Sequence, residues 1–310
     1  MAIGSYSSKI MIMDGILLID KPEGFTSHDV VAKLRRVLKT RKIGHTGTLD
    51  PFATGVLVML VGKATRLAQF LDKDEKGYEA LVRFGFATDT GDRTGEKISD
   101  NEASDEAVRK ALAEADWEEV LSRFRGQIEQ TPPMYSAKKI DGQKLYELAR
   151  KGEVVERKAV SIFIERVEIS AGPDDLTRKL GIGCSAGTYI RTLAEDIGKA
   201  IGLGAHLTEL RRTRAGRFYI ADSILLDKLE EMQDPAAALL PIELAVEHLP
   251  EVKLNAERSA KTRNGLSTRV HEVNYSAGEF VRMIDDNNEL IAIGSFDPKE
   301  NVIQPKVVLG

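Results

Sequence analysis

Residues Gly44 to Gly55 read GHTGTLDPFATG, and the fold is read outward from them. They place one carboxylate, Asp50, in a glycine- and threonine-rich loop directly before a proline. The residue before proline is pushed into extended geometry, while Gly44, Gly47 and Gly55 let the backbone turn sharply or approach a ligand closely. Asp50 is therefore expected on a stiff, bent, accessible loop. The nearest carboxylates in sequence are Asp29 and Asp72. Glycosidase chemistry needs two carboxylates around the scissile bond, so on these residues alone Asp50 is a lone nucleophile, a lone base or a turn residue.

Upstream, the aliphatic run Gly15–Asp20 reads as a buried strand that Lys21-Pro22-Glu23-Gly24 breaks. Thr26 and Ser27 are N-cap candidates for a helix over His28–Lys39, with Val30, Val31, Leu34, Val37 and Leu38 on one face and Lys33, Arg35, Arg36 and Lys39 opposite. Downstream, Val56–Val61 is a second apolar strand, Ala64–Leu71 a helix, Tyr78–Phe86 a strand and Thr88–Gly95 a loop. Asp105–Phe124 is acidic and helical, with Trp117 as a packing residue.

Prolines keep Gln130–Lys139 irregular, and Lys144–Lys151 reads as a short helix. Val155–Arg157, Val160–Ser170 and Arg178–Ser185 alternate as strands. Ile190, Leu193, Ala194, Ile197 and Ile201 repeat at helical spacing, which predicts an amphipathic helix over Thr188–Gly202. Ala205–Arg214 and Arg217–Ile220 read as strands, and Asp222–His248 as acidic and helical. Beyond a boundary at Leu249-Pro250, short strand-like runs at Phe280–Ile284, Leu290–Ile293 and Val302–Val308 predict a small β-rich appendage. Strands and helices mix without strict alternation, so the fold class is α+β.

The chain has 310 residues, enough to bury about three quarters of its unfolded surface without staples. One cysteine, Cys184, excludes an intramolecular disulfide framework and a cysteine-based zinc site, and is read as a buried small hydrophobe. The expected compartment is the cytoplasm. No apolar run approaches the roughly 20 residues that span a bilayer, so no membrane association is expected. Residues 1–12 read as a disordered leader. Net charge is −4, but it is segmented: residues 1–70 carry 10 Lys and Arg against 5 Asp and Glu, and residues 131–217 carry 16 against 11. Residues 71–130 and 218–310 each carry 9 against 16. The two basic blocks are candidates for a polyanionic partner.

GHTGTLDPFATG, preceded by Gly15-Ile-Leu-Leu-Ile-Asp-Lys-Pro-Glu-Gly-Phe-Thr-Ser27, closely resembles the catalytic motif pair of the TruB family, bacterial tRNA pseudouridine(55) synthases. The resemblance continues through Lys76-Gly-Tyr-Glu79, Gln130-Thr-Pro-Pro-Met-Tyr-Ser-Ala-Lys138, Cys184-Ser-Ala-Gly-Thr-Tyr-Ile-Arg-Thr192 and Gly204-Ala-His-Leu-Thr-Glu-Leu-Arg-Arg212. These blocks keep family order and spacing over roughly residues 14–217.

The resemblance implies a large mixed or antiparallel sheet flanked by helices over 13–249, an RNA-gripping insert at 131–152 and a PUA-like RNA-binding domain at 250–310. It implies isomerisation of uridine 55 in the T-arm of tRNA, with base flipping, glycosidic cleavage, base rotation and C5–C1′ rejoining. No metal or other cofactor is expected, the partner is tRNA alone, and the state is monomeric. Asp50 matches the catalytic aspartate, Arg191 its arginine partner and Tyr78 the tyrosine that stacks on the base. His45 matches the histidine at the everted region, and Leu210 the apolar pocket residue; Tyr189 lies in the matched Gly187-Thr-Tyr-Ile-Arg191 block and is a substrate-binding candidate. Lys21, Arg66, Lys138, Lys139, Arg211 and Arg212, with Arg41, Lys42, Lys144 and Arg214, are expected to contact phosphates. Two alternatives stand beside this reading: a guide-RNA-dependent relative sharing the GTLDP loop, and an RNA-binding or folding factor with an idle site.

Overall fold

The aliphatic runs on either side of the Asp50 loop pair with each other. In the computed structural model, which describes residues 13–71, 74–98, 102–136, 138–140, 142–149, 151–153, 155–270 and 275–310, the first strands are β1 (Gly15–Lys21), β2 (Ile43–Thr46) and β3 (Thr54–Val61). The leader expected over residues 1–12 lies outside the described residues. β1 and β3 run antiparallel, from Gly15 opposite Val61 to Lys21 opposite Gly55. Every residue of β3 after Thr54 is buried because both faces are covered. Helix α1 (Ser27–Val37) packs Val30, Val31 and Leu34 on one face, and the other meets the aliphatic side chains of Ala64, Leu67 and Leu71.

The sheet grows through β4 (Lys76–Phe84), β5 (Gly126–Gln130), β8 (Val160–Ala171), β9 (Thr177–Cys184), β10 (Ala205–Ala215), β11 (Phe218–Tyr219) and β12 (Ile224–Leu225). A separate hairpin, β6 (Lys139–Ile140) and β7 (Gln143–Lys144), sits in the insert. The order is β12-β1-β3-β10-β4-β9-β8-β5, with β2 on β3 and β11 on β10. Only β1/β12 and β10/β3 are parallel, so the sheet is mixed as expected. On β4, Ala80, Val82 and Phe84 face a core shared with helices α3 (Asp105–Glu114), α4 (Trp117–Ser122) and α6 (Ile190–Ala200), while Glu79 faces solvent. Trp117 packs edge-on to Phe84.

The C-terminal part forms a second sheet of β13 (Glu251–Lys253), β14 (Thr268–Arg269), β15 (Phe280–Ile284), β16 (Leu290–Asp297) and β17 (Val302–Val308), in the order β13-β15-β16-β17-β14. Leu290, Ile293, Val307 and Leu309 share a core with Ile16, Leu18 and Val58, which fixes this sheet against the large one.

Local expectations fail where capping or proline overrides periodicity. Thr26 alone caps α1, in a capping box with Asp29, which frees Ser27 for another task. Ala64–Leu71 is a 3₁₀ turn over Gly62–Leu67 followed by one α-turn. Asp116 caps α4 and splits the Asp105–Phe124 segment in two. Residues 155–157 form no strand; the Arg157 guanidinium donates to the Pro132 carbonyl at 3.2 Å. In Asp222–His248 only Leu226–Glu231 is α-helical, and the segments around Pro235 and Pro241 tighten to 3₁₀ turns. The appendage also carries a helix, Ala256–Arg263, capped by Asn255, that its polar sequence hid.

Candidate active site

The Asp50 loop joins β2 to β3 and is anchored from two sides. The Ser27 hydroxyl accepts from Leu49 N at 3.0 Å, which is what that side chain does instead of capping. The Pro51 carbonyl accepts from Gly24 N at 2.8 Å and from Lys21 Nζ at 3.3 Å. At the far end Gly55 has φ +106°, and a Cβ there would lie 2.2 Å from the Arg212 carbonyl oxygen, so β3 and β10 approach closely only because this residue is glycine. The loop is thereby held over the carboxyl end of β10.

Across the loop, Arg191 at the start of α6 grips Asp50 with a fork: Nε to Oδ2 at 2.9 Å and Nη2 to Oδ1 at 3.3 Å. Arg191 is 4% exposed. Its other N–H groups donate to Thr90 O at 2.8 Å and Tyr135 O at 2.7 Å, and Nη1 stands 3.7 Å from Asp92 Oδ2. Burial raises the Asp50 pKa above the ordinary carboxylate range; Arg191 opposes that rise and Asp92 adds to it. The Asp50 side chain keeps 35% of its surface open, at the rim of a cavity of about 230 Å³.

Asp50, Tyr78, Tyr189, Arg191, Leu210 and Arg212 all line this cavity. Tyr78 on β4 pairs with Arg212 on β10, and burial raises its phenol pKa while Arg212 pulls it back. Tyr189 precedes α6 and is clamped by buried Gln130, whose amide accepts from Tyr189 N at 2.8 Å and donates to Tyr189 O at 3.0 Å. Burial raises the Tyr189 pKa as well. His45 stands outside the cavity wall, edge-on to His28 with ring centres 5.6 Å apart, and burial holds its pKa down to about 4.

Two of the expected phosphate contacts are corrected. Lys21 is 0% exposed: its ammonium donates to the carbonyls of Phe25 at 2.6 Å, Pro22 at 2.9 Å and Pro51, and burial lowers its pKa to about 8. Arg212 is 1% exposed because its position on β10 points it into the cavity wall. Arg211, one residue earlier, points the opposite way and pairs with Asp20 at 2.6 Å. Arg66 is exposed and donates to the Val308 carbonyl, tying the 3₁₀ turn after β3 to β17. Arg41 and Lys42 are exposed and Lys138 half-buried; of Lys139 and Lys144 only the backbone is described.

Lys21 therefore acts as a staple, and Lys21→Met should destabilise the fold by roughly 1–3 kcal/mol, since three carbonyls lose a charged donor. The salt dependence of RNA binding should stay as it is. Urea unfolding and binding titrations at several salt concentrations check both.

The residues missed from sequence are Asp92, Gln130 and Ser27. Asp92 is 4% exposed; its Oδ1 accepts from Thr94 N at 2.9 Å and Thr90 Oγ1 at 3.0 Å, leaving Oδ2 toward Arg191. Nothing in Thr88–Gly95 beyond loop composition marks this carboxylate. Among the described residues, no group of three His, Cys, Asp or Glu is arranged to hold a metal ion, and no helix is long and apolar enough to cross a membrane. Cys184 is buried and its thiol is pushed up to about 11.

The solved structures most like this chain include a Cbf5–Nop10–Gar1 complex, with a TM-score of 0.71 and 29% identity over 96% of this chain and 86% of that one. An H/ACA ribonucleoprotein bound to a substrate RNA containing 2′-deoxyuridine matches with a TM-score of 0.71 and 27% identity, over 96% and 86%. Residues 35–190 match the TruB family pseudouridylate synthase N-terminal domain, and residues 191–247 match the tRNA pseudouridylate synthase B C-terminal domain. The fold and these family matches are those of a pseudouridine synthase, an enzyme that isomerises uridine within RNA. The tRNA pseudouridine synthase B of Solibacter usitatus is 42% identical over 307 residues, covering 96% of this chain and all of that protein. Its counterpart in Pseudomonas putida is 43% identical over 290 residues, 91% of each. The chain belongs to the TruB family of pseudouridine synthases.

Proposed function

We propose that this enzyme converts uridine 55 in the T-arm of tRNA to pseudouridine, with Asp50 as the nucleophile. The observation that carries the reading is the carboxylate of Asp50 held by the Arg191 fork at the rim of a cavity whose floor includes Tyr78 and Leu210. The names of the full-length bacterial relatives support tRNA as the substrate.

The cavity of about 230 Å³ is smaller than the roughly 300–1,000 Å³ of drug-sized pockets and suits one base with its sugar. The target must therefore leave its stack, at a cost on the order of a few kcal/mol. His45, uncharged at neutral pH, offers a flat ring to the vacated space. In the cavity the Asp50 carboxylate bonds to C1′ as the C1′–N1 bond breaks, its electron pair leaving with the base; the base turns, C5 attacks C1′ and displaces the carboxylate, the C5 proton departs and N1 takes one up. Tyr78 stacks on the base and is the candidate to take that proton. Atoms are conserved apart from exchange of this proton with water, so no redox partner enters.

Outward cations, among them Arg41, Lys42 and Lys138, meet phosphates, together with Lys139 and Lys144 in the 131–152 insert. The small C-terminal sheet acts as a PUA-type RNA contact over 250–310, next to the catalytic domain over 13–249. The enzyme works as a cytoplasmic monomer. The test is tritium release from an unmodified tRNA transcript labelled at uridine C5: close to one equivalent per tRNA is expected, and none from a transcript with cytidine at position 55. Binding without release would overturn the reading in favour of a guide-dependent enzyme or an RNA-binding protein.

A further inference from the structure

Two arginines line the cavity, and their donors are used differently. The Arg191 fork is committed to Asp50 and to the carbonyls of Thr90 and Tyr135. Arg212 donates through Nε to the Val56 carbonyl at 2.8 Å and its guanidinium meets the Tyr78 phenol, while its buried Nη2 has no partner in hydrogen-bonding geometry. An unpaired buried donor on a charged group is costly, and native folds rarely keep one without a use for it. Gly47 borders the same guanidinium: a Cβ there would stand 3.2 Å from Arg212 Nη1, so a side chain at this loop position would crowd it.

A cation in this place has a task that the nucleophile does not cover. When the C1′–N1 bond breaks, the electron pair stays on N1 and the uracil carries negative charge, delocalised onto its O2 and O4 carbonyls, until C5 rejoins C1′. A donor fixed in a dry cavity stabilises that charge without reorganisation, and losing one such donor costs roughly 10²–10³ in rate. We infer that Arg212 is a catalytic residue whose Nη2 donates to a carbonyl oxygen of the detached uracil and stabilises its negative charge between bond breaking and rejoining. The inference rests on the proposed reading of the site and adds a second charge-stabilising residue to it. Its burial sets it apart from a phosphate contact, because the backbone phosphates stay outside a cavity of this size.

The experiment compares single-turnover pseudouridine formation by the parent protein, Arg212→Lys and Arg212→Met, on transcripts carrying uridine, 2-thiouridine or 4-thiouridine at the target. Sulfur accepts hydrogen bonds weakly, so one thio substitution should slow the parent about tenfold. Arg212→Met should be slowed about 10²–10³-fold on uridine, should bind tRNA within about threefold of the parent with the same salt dependence, and should show no further loss on the thio base. Arg212→Lys should fall between them and keep part of the thio effect, and it decides the matter if the methionine variant does not fold. The inference is overturned if Arg212→Met works within threefold of the parent, if it loses affinity with a shallower salt dependence, or if the thio effect is absent from the parent or undiminished in the variants. A parent protein that forms no pseudouridine on uridine transcripts instead defeats the reading on which the inference rests.

Discussion

Asp50→Ala is expected to abolish tritium release from C5-labelled tRNA, a loss of roughly 10⁴–10⁶-fold by comparison with other nucleophile deletions, with tRNA affinity within about threefold of the parent. No other carboxylate can take over. Asp92 is the nearest acid in the site, but one of its oxygens is bonded within its own loop and the residue is 4% exposed. The fold should survive, because Arg191 keeps the Thr90 and Tyr135 carbonyls and Asp92 as partners. Stability carries a second signature. The folded-state pKa of Asp50 lies above its unfolded value, so the folded form binds more protons and the parent loses stability as pH rises through the folded value. Asp50→Asn lacks this loss, so its unfolding temperature relative to the parent should climb with pH across the acidic range. Product at the parental rate from Asp50→Ala would remove this residue from the reaction.

The second large effect is at Arg191. Arg191→Gln removes the cation that contacts Asp50 and most strongly opposes the effect of its burial, and leaves two carboxylates facing each other. Removing one partner of a buried pair costs about 3–5 kcal/mol, and the site should lose at least about 10²-fold in rate as it loosens. The sign of the pH effect follows from the charge. Without the guanidinium the Asp50 pKa climbs further, so the acidic limb of the rate profile should move to higher pH. Arg191→Lys keeps the charge but not the two-pronged geometry, so it should retain the position of the limb better than the rate. A limb that stays in place in Arg191→Gln would show that Arg191 does not set the ionisation of Asp50.

Much of the site was legible because its residues sit in short dense blocks. The GHTGTLDPFATG loop stands out by itself, whereas Tyr78 and Arg191 are singled out only through the resemblance of their blocks to the TruB family, and all three meet at the cavity. What was not legible depended on pairing across long separations. Asp92 reaches Arg191 across 99 positions of chain through a loop that composition alone describes. Gln130 clamps Tyr189 59 positions away. The reading of Lys21 and Arg212 as surface cations failed for the same reason: a basic residue in a basic block looks exposed until the strand face it occupies is known.

By itself, the sequence determined the family and the α+β class and singled out Asp50 as the carboxylate to test, since motif spacing and hydrophobic runs are local properties of the chain. Tertiary structure alone decided which charges face one another. Strand register turns Arg211 out toward Asp20 and Arg212 into the cavity, although the two are adjacent in sequence. That alternation is a consequence of the two-residue period of a strand. It becomes decisive only once β3, β10 and β4 are placed side by side, with one face of β10 against the Asp50 loop and the other toward solvent.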